Sequence, residues 1–536
     1  MNCDLLIVNG FIIDGSGKPG FYADLAISKG KIIAIAPKLE CAAGRIIDAS
    51  GLVVTPGFID PHVHAELTVL TSGTFEDFLR QGVTTTINGN CGHSITPYSS
   101  DNIYRYMTTS GLISPEEEKR YKRSVPAWNS FSSYIDTTKS RGTNVNMGFL
   151  LGHGSLRWSV MGKTTARTPN AEEYKELKRL IEEGMEQGAL GLSAGLAYTP
   201  SKYAATDELI QLAKIAQKYD GIYTSHLRTY LGILEAVKEA IQVGEVTGIR
   251  VQVSHLTPTC PEAFAEILSA RNRGLEIAVD TIPKSSGHFK RWDRFLQFLL
   301  PSSSQTYEPE QNNLQDTASA YKVSRKLLKK MRFKDRLLVF HTADPQMEHR
   351  TLQAIADEKR TTVDDLILQL LDNNNPKLTF CQGGLNRWDF PGTPYPDDIA
   401  HNPLVMVGSD RIFGNLHDPY DWYELFRKGA FPLYFNLCKQ KEIPPEEVIR
   451  RVTSFPAQQF RLKGRGLLAK GYAADIAILD LNNFRYPSNE EIDPLNPLTM
   501  ARGVQYTIVN GNVALDKGIV KEVKAGQLLS RNGAIL

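Results

Sequence analysis

The sequence predicts an α/β protein whose main part is a (β/α)8 TIM barrel, and three observations support this fold class. First, apolar strand-like runs alternate with helical patterns through most of the 536 residues, which is typical of a parallel sheet with helical crossovers. Second, metal-ligating residue types follow several of these runs directly. Third, β-prone runs separated by Asn-Gly, Asp-Gly and Lys-Gly, which are hairpin signals, occupy both ends of the chain.

The two ends of the chain together predict a small β-sandwich domain. Residues 1–55 and 462–536 contain short β-prone runs, such as residues 4–8 and 474–480. Neither stretch is long enough to bury a core of its own. We therefore expect the two stretches to pair, and the barrel to occupy residues 56–461.

Eight runs between these ends are the candidate barrel strands, and a helical pattern follows most of them. The runs begin near residues 58, 83, 146, 189, 221, 250, 275 and 403. The interval between the seventh and eighth runs is much longer than a crossover helix requires. We therefore predict that residues 284–375 form an inserted subdomain that acts as a lid over the mouth of the barrel.

Composition and charge argue against several other kinds of function. The chain has 61 Lys and Arg against 59 Asp and Glu, a formal net charge of +2, so we expect neither a nucleic-acid partner nor an anionic membrane partner. Its 6 cysteines lack Cys-x-x-Cys spacing, which argues against a disulfide framework and a structural zinc finger. The first residues lack a secretory signal, and no apolar run approaches the roughly 18 residues that span a bilayer. We expect a cytoplasmic protein, and its oligomeric state stays open.

The functional prediction begins at His62 and His64, which end the first candidate strand. Side chains alternate along a strand, so these two imidazoles point to the same side. An isolated His-x-His pair is more often a surface or packing pair than a metal site. In a barrel, however, the carboxyl ends of all the strands meet at one mouth. The other potential ligands at such ends are Cys91, His226, His255 and Asp410.

Four imidazoles, a thiolate and a carboxylate form a donor set that suits zinc. Ordinary explanations exist for each residue: His226 and His255 as core histidines, and Cys91 as a small buried apolar residue. Asp410 could cap the segment that follows it. Four strand-end histidines are nevertheless unexpected by chance in a chain with only 11 histidines. The glycines on both sides of the Asn90-Cys91 pair allow an unusual backbone there, which favours Cys91 as a ligand.

Short motifs that carry a family resemblance are spread over nearly the whole chain. They are Pro56-Gly57-Phe58-Ile59-Asp60 with His62-Val63-His64, Gly89-Asn90-Cys91-Gly92, residues 188–198, Ser225-His226-Leu227-Arg228, Gln252-Val253-Ser254-His255, Gly408-Ser409-Asp410, and a tail from Arg465 to Ile476. Together they resemble the amidohydrolase superfamily, and more narrowly its D-aminoacylase, or N-acyl-D-amino-acid deacylase, group. The resemblance implies a metal-bearing barrel with a β-sandwich built from both termini.

The resemblance also implies how the six candidate ligands are divided. Cys91, His226 and His255 would hold one zinc ion tightly. A second, weaker site would consist of His62, His64 and Asp410, with Cys91 shared. Many members of the superfamily bridge two metals with a carbamylated lysine from the fourth strand. The fourth candidate strand here ends without a lysine, and the resemblance assigns the bridging role to Cys91.

This donor set predicts a hydrolase. Zinc lowers the pKa of a bound water toward about 7, which supplies a nucleophile at neutral pH. Asp410 would be the catalytic residue that accepts the water proton and returns it to the leaving amine. The resemblance implies that the substrate is an N-acyl-D-amino acid, which is cleaved to a carboxylate and a free D-amino acid.

Three further residues are candidates for substrate binding. Arg228 is a candidate clamp for the substrate α-carboxylate, with a structural ion pair as the alternative. Tyr198 is a candidate for orienting the substrate, with simple packing as the alternative. Arg411 stands where the family usually has a glycine, and with Lys284 it is a candidate for binding an acidic side chain.

The chain departs from the family at Thr257, where a lysine is usual, and at residues 280–283. These departures lie in the presumed substrate pocket and leave the metal ligands unchanged. They keep two related activities open: a cyclic-amide hydrolase of the hydantoinase or dihydroorotase kind, and a specialised amidase acting on one biosynthetic intermediate. A non-catalytic barrel that serves as a scaffold is the alternative from another class.

Overall fold

A computed structural model describes residues 2–96, 99–110, 112–113, 115–162, 166–256, 260–283, 289–291, 328–329, 334–342, 344–373, 380–382, 400–411, 429–487, 491 and 500–536. Thr257 and Lys284 lie outside these residues. Within the described ranges, no helix combines the length and the apolar character that crossing a bilayer requires.

Within the described residues, the strands form three sheets. In chain order they are β1 (Asn2–Ile12), β2 (Phe21–Ser28), β3 (Lys31–Ala36), β4 (Ala42–Asp48), β5 (Val53–Pro56), β6 (Phe58–Val63), β7 (Val83–Asn88), β8 (Asn146–Gly152), β9 (Gly191–Gly195), β10 (Ile222–His226), β11 (Arg250–Val253), β12 (Ile277–Thr281), β13 (Phe289–Arg291), β14 (Leu338–His341), β15 (Arg350–Thr351), β16 (Phe380–Gln382), β17 (Val405–Val407), β18 (Ile476–Leu479), β19 (Val504–Val509), β20 (Asn512–Asp516), β21 (Ile519–Val520) and β22 (Leu528–Leu529).

The α-helices of the described residues lie mostly between the barrel strands. They are α1 (Thr68–Thr71), α2 (Glu76–Leu79), α3 (Ser100–Thr109), α4 (Pro115–Ser124), α5 (Phe131–Arg141), α6 (His153–Met161), α7 (Ala171–Glu186), α8 (Thr206–Lys218), α9 (Ile233–Thr247), α10 (Pro261–Asn272), α11 (Leu352–Glu358), α12 (Val363–Asn373), α13 (Ala430–Gln440), α14 (Pro445–Val452) and α15 (Ser454–Gln459). The start of α7 shows how the sequence sets such boundaries, since Asn170 and Glu173 form a reciprocal capping box there.

The barrel is the central sheet. Its eight parallel strands follow the order β6-β7-β8-β9-β10-β11-β12-β17, and these are the eight runs that the sequence predicts. Beyond β17 the chain returns to β6: the Asp410 N–H donates to the His62 carbonyl oxygen at 2.9 Å, and the His64 N–H donates to the Arg411 carbonyl oxygen at 2.7 Å. The first and last strands therefore lie side by side, as a TIM barrel requires.

The strand order explains why the strands are so apolar. Every residue of β8 and of β9 is buried, because a barrel strand packs against the barrel interior on one face and against helices on the other. Strands of this kind place their carboxyl ends at one mouth and their amino ends at one base. Residues that follow the strands directly are thus brought together at the mouth, although they are far apart in sequence.

Strands from both ends of the chain share one sheet, as the sequence predicts. The order is β21-β20-β19-β18-β5-β1-β2-β3, with β4 paired to β1. The two halves meet where β5 pairs antiparallel with β18. Buried residues from both ends, such as Ile7, Leu25, Ile476 and Ile508, share one apolar core. The division into residues 1–55 with 462–536, and 56–461, stays a prediction.

Between the seventh and eighth barrel strands the structure describes part of the predicted insertion. Here β13, β16, β14 and β15 form an antiparallel sheet in that order. Helices α11 and α12 contribute to a separate apolar cluster that includes Leu337, Leu352 and Ile367. This sheet includes β16, so it continues past residue 375. The role of the insertion as a lid stays a prediction.

A buried polar cluster joins the base of the barrel to the terminal sheet. It consists of Asn146 at the start of β8, Arg465, Asp475 and Asn510, which we call the base cluster. Asp475 forms an ion pair with Arg465, and its carboxylate accepts hydrogen bonds from the Asn146 side chain at 3.1 Å and from the Asn510 backbone N–H at 2.8 Å. The Asn510 side chain also bonds to Asn146 at 2.7 Å. The members of the cluster are therefore bonded to one another.

Candidate metal centre and active site

The six predicted ligands converge at the mouth of the barrel. Three of them form one compact group, which we call the thiol group. The Cys91 Sγ atom lies 3.6 Å from His226 Nδ1 and 3.4 Å from His255 Nε2. The two imidazole nitrogens are 2.7 Å apart. These residues follow three different strands, so the barrel has assembled the group that the sequence predicts.

The other three ligands form a second group, which we call the carboxylate group. Asp410 Oδ1 lies 3.3 Å from His64 Nε2 and 3.6 Å from His62 Nε2. His62 Nε2 is also 3.2 Å from the Cys91 Sγ atom. Cys91 and His62 are therefore the side chains through which the two groups touch.

Both groups have the donor chemistry of a metal site. Bonds of about 2.3 Å to sulfur and about 2.0–2.1 Å to nitrogen, arranged tetrahedrally, place sulfur and nitrogen about 3.5 Å apart. The distances of 3.4 and 3.6 Å from Cys91 agree with that value. The 2.7 Å between His226 Nδ1 and His255 Nε2 is shorter than the roughly 3.3 Å that the same geometry gives two nitrogens, so these rings would move apart around an ion. Two overlapping sets of residues could each hold an ion, and within each set the potential ligand atoms lie within 4.8 Å of one another. The sets are His62, Cys91 and His255, and His62, His64 and Asp410. The residues present thus fit a zinc ion.

Three of the ligands have an unusual backbone. Cys91, His255 and Asp410 have φ angles of 53°, 34° and 51°, in the left-handed region that residues with a side chain rarely adopt. Such a conformation costs of order 1–3 kcal/mol and persists only where the surroundings impose it. At three strand ends, therefore, the chain turns sharply in a way that places a ligand side chain at the mouth.

The turn that carries Cys91 is held by its neighbours. The Ser193 hydroxyl donates to the Gly89 carbonyl oxygen at 2.5 Å and accepts from the Gly92 N–H at 3.1 Å. A Cβ atom on Gly195 would overlap the Cys91 carbonyl oxygen, so only glycine allows this approach. The motif around Gly195 is thus required for the position of Cys91, two strands away in the barrel.

Asp280 contacts a predicted ligand in each group, whereas the sequence interpretation places residues 280–283 only in the presumed substrate pocket. Its Oδ1 atom lies 3.1 Å from His62 Nδ1 and accepts the His255 backbone N–H at 2.8 Å, while Oδ2 accepts the Gln252 side chain at 2.9 Å. A carboxylate on one ring nitrogen fixes the tautomer and leaves the other nitrogen to a metal. The sequence signal for this role was the position of Asp280 at the end of the seventh strand, because the predicted metal ligands also follow barrel strands.

The protonation states of the site follow from burial and neighbouring charge. Burial, with the charges of nearby His residues, lowers the pKa of His226 well below its usual value and that of His255 to about 4. Burial raises the pKa of the Cys91 thiol, against the charge of His62. Burial lowers the pKa of His62, but the charges of Asp280 and Cys91 outweigh it and raise the pKa well above its usual value. His226 and His255 are therefore neutral ligands, and a bound cation would ionise the thiol.

Arg228 follows β10 at the mouth, but its guanidinium is engaged by the protein. It donates to both carboxylate oxygens of Glu239, at 3.1 and 3.2 Å, and to oxygens of Lys202, Ala204 and Tyr230, at 2.7, 2.9 and 3.3 Å. These contacts use all five N–H donors of the side chain. The structural ion pair, which the sequence left open as an alternative, is present. A role as a substrate clamp stays a prediction.

The other two candidate substrate residues lie beside the ligands. The Tyr198 ring is 4.5 Å from the His226 ring, and the residue is 41% exposed, so it stands at the rim of the site. Arg411 is buried and its Nε atom donates to the buried Asp77 carboxylate at 2.8 Å. The substrate-binding roles of both residues stay predictions.

His93, two residues beyond Cys91, is a residue that the sequence interpretation passed over. It is 4% exposed, and its ring lies 5.0 Å from the Tyr198 ring and 6.4 Å from the His64 ring. Its Nδ1 atom is 2.6 Å from the Tyr106 hydroxyl oxygen. Burial lowers the pKa of His93 to about 3. The only sequence signal was a histidine placed next to the cysteine motif.

A buried network also lies near the mouth, at the start of α6. His153 contacts the Ser201 hydroxyl at 2.9 Å and a Glu208 carboxylate oxygen at 3.0 Å. Arg157 donates to both oxygens of Glu208 at 2.6 Å. Burial raises the pKa of Glu208, but His153 and Arg157 outweigh it and lower the pKa below its usual value. This network is a structural feature beside the candidate site.

An eight-stranded parallel barrel with histidines, a cysteine and an aspartate gathered at its mouth is a metal-ligating (β/α)8 barrel. The profile described as the Amidohydrolase family matches residues 45–256 and 379–515. The chain belongs to this family.

Two curated relatives match the chain along almost its whole length. The D-aminoacylase of Alcaligenes xylosoxydans xylosoxydans is 28% identical over 541 residues, covering 99% of this chain and 98% of that protein. The N-acyl-D-glutamate deacylase of the same organism is 26% identical, covering 99% and 97%. These similarities confirm the resemblance to the D-aminoacylase group that the sequence motifs indicate.

A solved structure supports the same assignment. The N-acyl-D-glutamate deacylase from Bordetella bronchiseptica, complexed with zinc and a phosphonate inhibitor that mimics the tetrahedral intermediate, has a TM-score of 0.72 and 25% sequence identity to this chain. The match covers 99% of this chain and 100% of that one. The predicted barrel fold is thereby confirmed.

Proposed function

We propose that this chain hydrolyses the amide bond of N-acyl-D-amino acids to a carboxylate and a free D-amino acid. The observation that carries the proposal is the meeting of the thiol group with the carboxylate group, through Cys91 and His62, at the mouth of the barrel. Full-length similarity to a D-aminoacylase and to an N-acyl-D-glutamate deacylase supports the substrate class.

The metal that we assign to the site is zinc. The thiol group would hold one ion tightly, and the carboxylate group with Cys91 would offer a second, weaker site. When bound, zinc lowers the pKa of a coordinated water toward about 7 and polarises the acyl carbonyl of the substrate. The mixture of a soft thiolate with neutral imidazoles favours zinc over calcium or magnesium, which prefer oxygen ligands.

Asp410 is the residue to which we assign proton transfer. It follows the eighth strand, and its side chain is 15% exposed, so it is the ligand of the carboxylate group that is most open to a substrate. Its carboxylate would accept a proton from the attacking water. It would then return that proton to the amine nitrogen as the carbon–nitrogen bond breaks. Proton transfers of this kind typically accelerate a reaction by a factor of about 10²–10⁴.

Asp280 supports this chemistry without touching the substrate. Its carboxylate holds His62 through Nδ1 and fixes the backbone of His255. One residue therefore orients a ligand in each of the two groups. A partner of this kind fixes the tautomer and the orientation of a metal ligand.

The proposal is tested by a paired screen of purified protein. N-acetyl-D- and N-acetyl-L-amino acids, a hydantoin and dihydroorotate are offered as substrates, and zinc is measured on the same sample. Two cysteine variants are compared: Cys91→Ala, in the site, and Cys41→Ala, a matched control in the terminal sheet region. We expect D-selective hydrolysis in the wild type and in Cys41→Ala, and loss of hydrolysis and of zinc in Cys91→Ala.

Other results would contradict the proposal in distinct ways. Turnover of the hydantoin or dihydroorotate alone would identify a cyclic-amide hydrolase. A zinc-loaded protein that cleaves none of the compounds would refute the proposed activity. Full activity in Cys91→Ala would show that the thiol group is not the catalytic centre.

A further inference from the structure

His93 is a buried polar residue beside the reaction centre that the mechanism above does not use. Its electrostatic neighbours include His64 and Asp410, and it acts in turn on His226. Its ring is also 5.0 Å from the Tyr198 ring. His93 is thus close to ligands of both groups.

The Tyr106 hydroxyl is the hydrogen-bond partner of His93 Nδ1. The oxygen and His93 Nδ1 are 2.6 Å apart. This distance is short for an N–H donor, whose usual separation is about 2.9–3.0 Å, but fits an O–H donor. Tyr106 is fully buried, which keeps its hydroxyl protonated. We infer that the hydroxyl is the donor to Nδ1 and that the ring carries its proton on Nε2.

The Nε2–H group is left for another molecule. In the part of the chain that the structure describes, the hydrogen bond of the His93 ring is the one that Nδ1 forms with Tyr106. In the described residues, the fully buried side-chain atoms that lack a hydrogen-bond partner do not include Nε2, so another molecule can reach this nitrogen. A bound substrate with an acceptor oxygen would supply the partner.

We propose that His93 is a catalytic residue that donates its Nε2–H to the oxygen of the scissile acyl carbonyl. This inference rests on the proposed amide hydrolysis. When the water oxygen bonds to the acyl carbon, the carbonyl electron pair moves to oxygen, which becomes negatively charged. The electron pair returns as the carbon–nitrogen bond breaks and Asp410 protonates the amine. His93 stabilises the charged oxygen by a hydrogen bond and transfers no proton.

The position of His93 favours the carbonyl oxygen over a distant part of the substrate. The His93 ring lies 6.4 Å from the His64 ring and interacts electrostatically with Asp410. It therefore borders the place where the reacting amide must sit, because Asp410 has to reach the water and the amine. A preorganised donor that points at the developing negative charge typically raises kcat by a factor of about 10²–10³. Tyr106 acts as a positioning residue, because it holds the imidazole in the tautomer that donates at Nε2.

The experiment compares His93→Leu, His93→Gln and the control His401→Leu, an exposed histidine before the eighth barrel strand. For each protein kcat, KM, zinc content and the affinity of a phosphonate analogue of the N-acyl amino acid are measured. We expect His93→Leu to lower kcat by about 10²–10³, with KM and zinc content unchanged. Phosphonate affinity should fall by the same factor as kcat/KM. His93→Gln, which keeps an N–H group near the place of Nε2, should recover part of the loss.

Four outcomes would overturn the inference. If His93→Leu raises KM and leaves kcat unchanged, His93 binds the bound substrate and the transition state equally strongly. Loss of zinc in parallel with activity would mean a structural role. A wild type that cleaves no N-acyl amino acid would remove both the proposed function and this inference, whereas an active His93→Leu protein would remove the inference alone.

The role of Tyr106 is tested separately with Tyr106→Phe. We expect kcat to fall about tenfold, the value of one hydrogen bond of about 1.4 kcal/mol. The ¹⁵N chemical shifts of His93 should show protonation at Nε2 in the wild type and a mixture of tautomers in the variant. A wild-type protein with its proton at Nδ1 would contradict the proposed donor.

Discussion

The two ends of the barrel hold their buried polar residues in opposite ways. In the base cluster, Asp475 has an arginine, an asparagine side chain and a backbone N–H as partners. At the mouth, the thiol of Cys91 and the imidazoles of His226 and His255 are kept uncharged by burial. The polar groups of the base cluster have protein partners, whereas the groups at the mouth are placed to bind a metal ion.

This difference separates stability from function along the barrel axis. A satisfied buried network stabilises the folded chain by itself. Buried groups that are arranged around an ion site gain their full stability only when the ion binds. Substitutions at the base should therefore change the free energy of unfolding, and substitutions at the mouth should change activity and metal affinity.

The sharpest test of this contrast uses two aspartates with left-handed backbones. Asp410 at the mouth has φ 51°, and Asp220, on the base side just before β10, has φ 53°. Asparagine tolerates that backbone well, so neither change to Asn strains the chain. We expect Asp410→Asn to lower kcat by about 10²–10⁴ and Asp220→Asn to leave kcat unchanged. Steady-state kinetics on zinc-loaded protein provide the measurement, and similar kcat values in both variants would contradict the division.

The next largest effect is expected at the base. Asp475→Asn leaves Arg465 buried without its carboxylate, which typically costs about 3–5 kcal/mol in the free energy of unfolding. The kcat of the folded protein should stay at the wild-type value. The control is Asp516→Asn, which breaks a 2.8 Å pair with Arg45 whose side chains are 44% and 23% exposed. That change should cost only about 0.2–1 kcal/mol. Urea denaturation measures both free energies of unfolding. An equal decrease in the two variants would show that the base cluster stabilises the fold no more than an exposed ion pair does.

A third test concerns the residue that orients the metal ligands. Asp280→Asn removes the carboxylate behind His62 and should weaken metal affinity about 10–100-fold. At saturating zinc most of the activity should return, because the ligands themselves are unchanged. Competition with a chelator measures the affinity. If affinity is unchanged, the ligands do not depend on Asp280 for their orientation.

The smallest expected effect is a pH dependence from the network at α6. The pKa of Glu208 is lowered from its unfolded value of 4.5, because His153 and Arg157 outweigh burial. Its ionised form therefore contributes stability above pH 4.5, and this contribution is lost as the pH falls from 4.5 through the folded pKa. One such group changes stability by at most about 1.4 kcal/mol per pH unit.

Denaturation of the chelator-treated protein at several pH values checks this prediction. Chelation removes the separate effect of ligand protonation on metal binding. Glu208→Gln should show a shallower loss of stability below pH 4.5 than the wild type. A variant with the same slope as the wild type would show that Glu208 is not the group responsible.

The sequence predicts the strand ends well, because each barrel strand is an apolar run and its ligand follows directly. This logic finds His226, His255 and Asp410 although hundreds of residues separate some of them from His62. It does not find the role of Asp280, because that role depends on a contact with His62, 218 residues away. Only the folded barrel brings the two residues together.

The substrate side of the site was harder to predict for a related physical reason. Arg228 has the right charge for a carboxylate clamp, but its partner Glu239 lies on the following helix, and no sequence pattern reveals that pairing. The role of His93 depends on Tyr106, which stands on α3 in an irregular part of the sequence. A pattern shows which groups are available, and the hydrogen bonds decide which of them are already used.

The pairing of β5 with β18, which joins the two ends of the chain, also has a consequence for biosynthesis. Pro56 and Ile476 face each other in this ladder, about 420 residues apart in sequence. At a translation rate of about 5–20 residues per second, the first half of the sheet waits roughly 20–85 s for its partner strand on the ribosome. During that interval the nascent β5 edge is open to pairing with other chains. Chaperone occupancy of ribosome-bound chains should therefore persist until the last strands emerge.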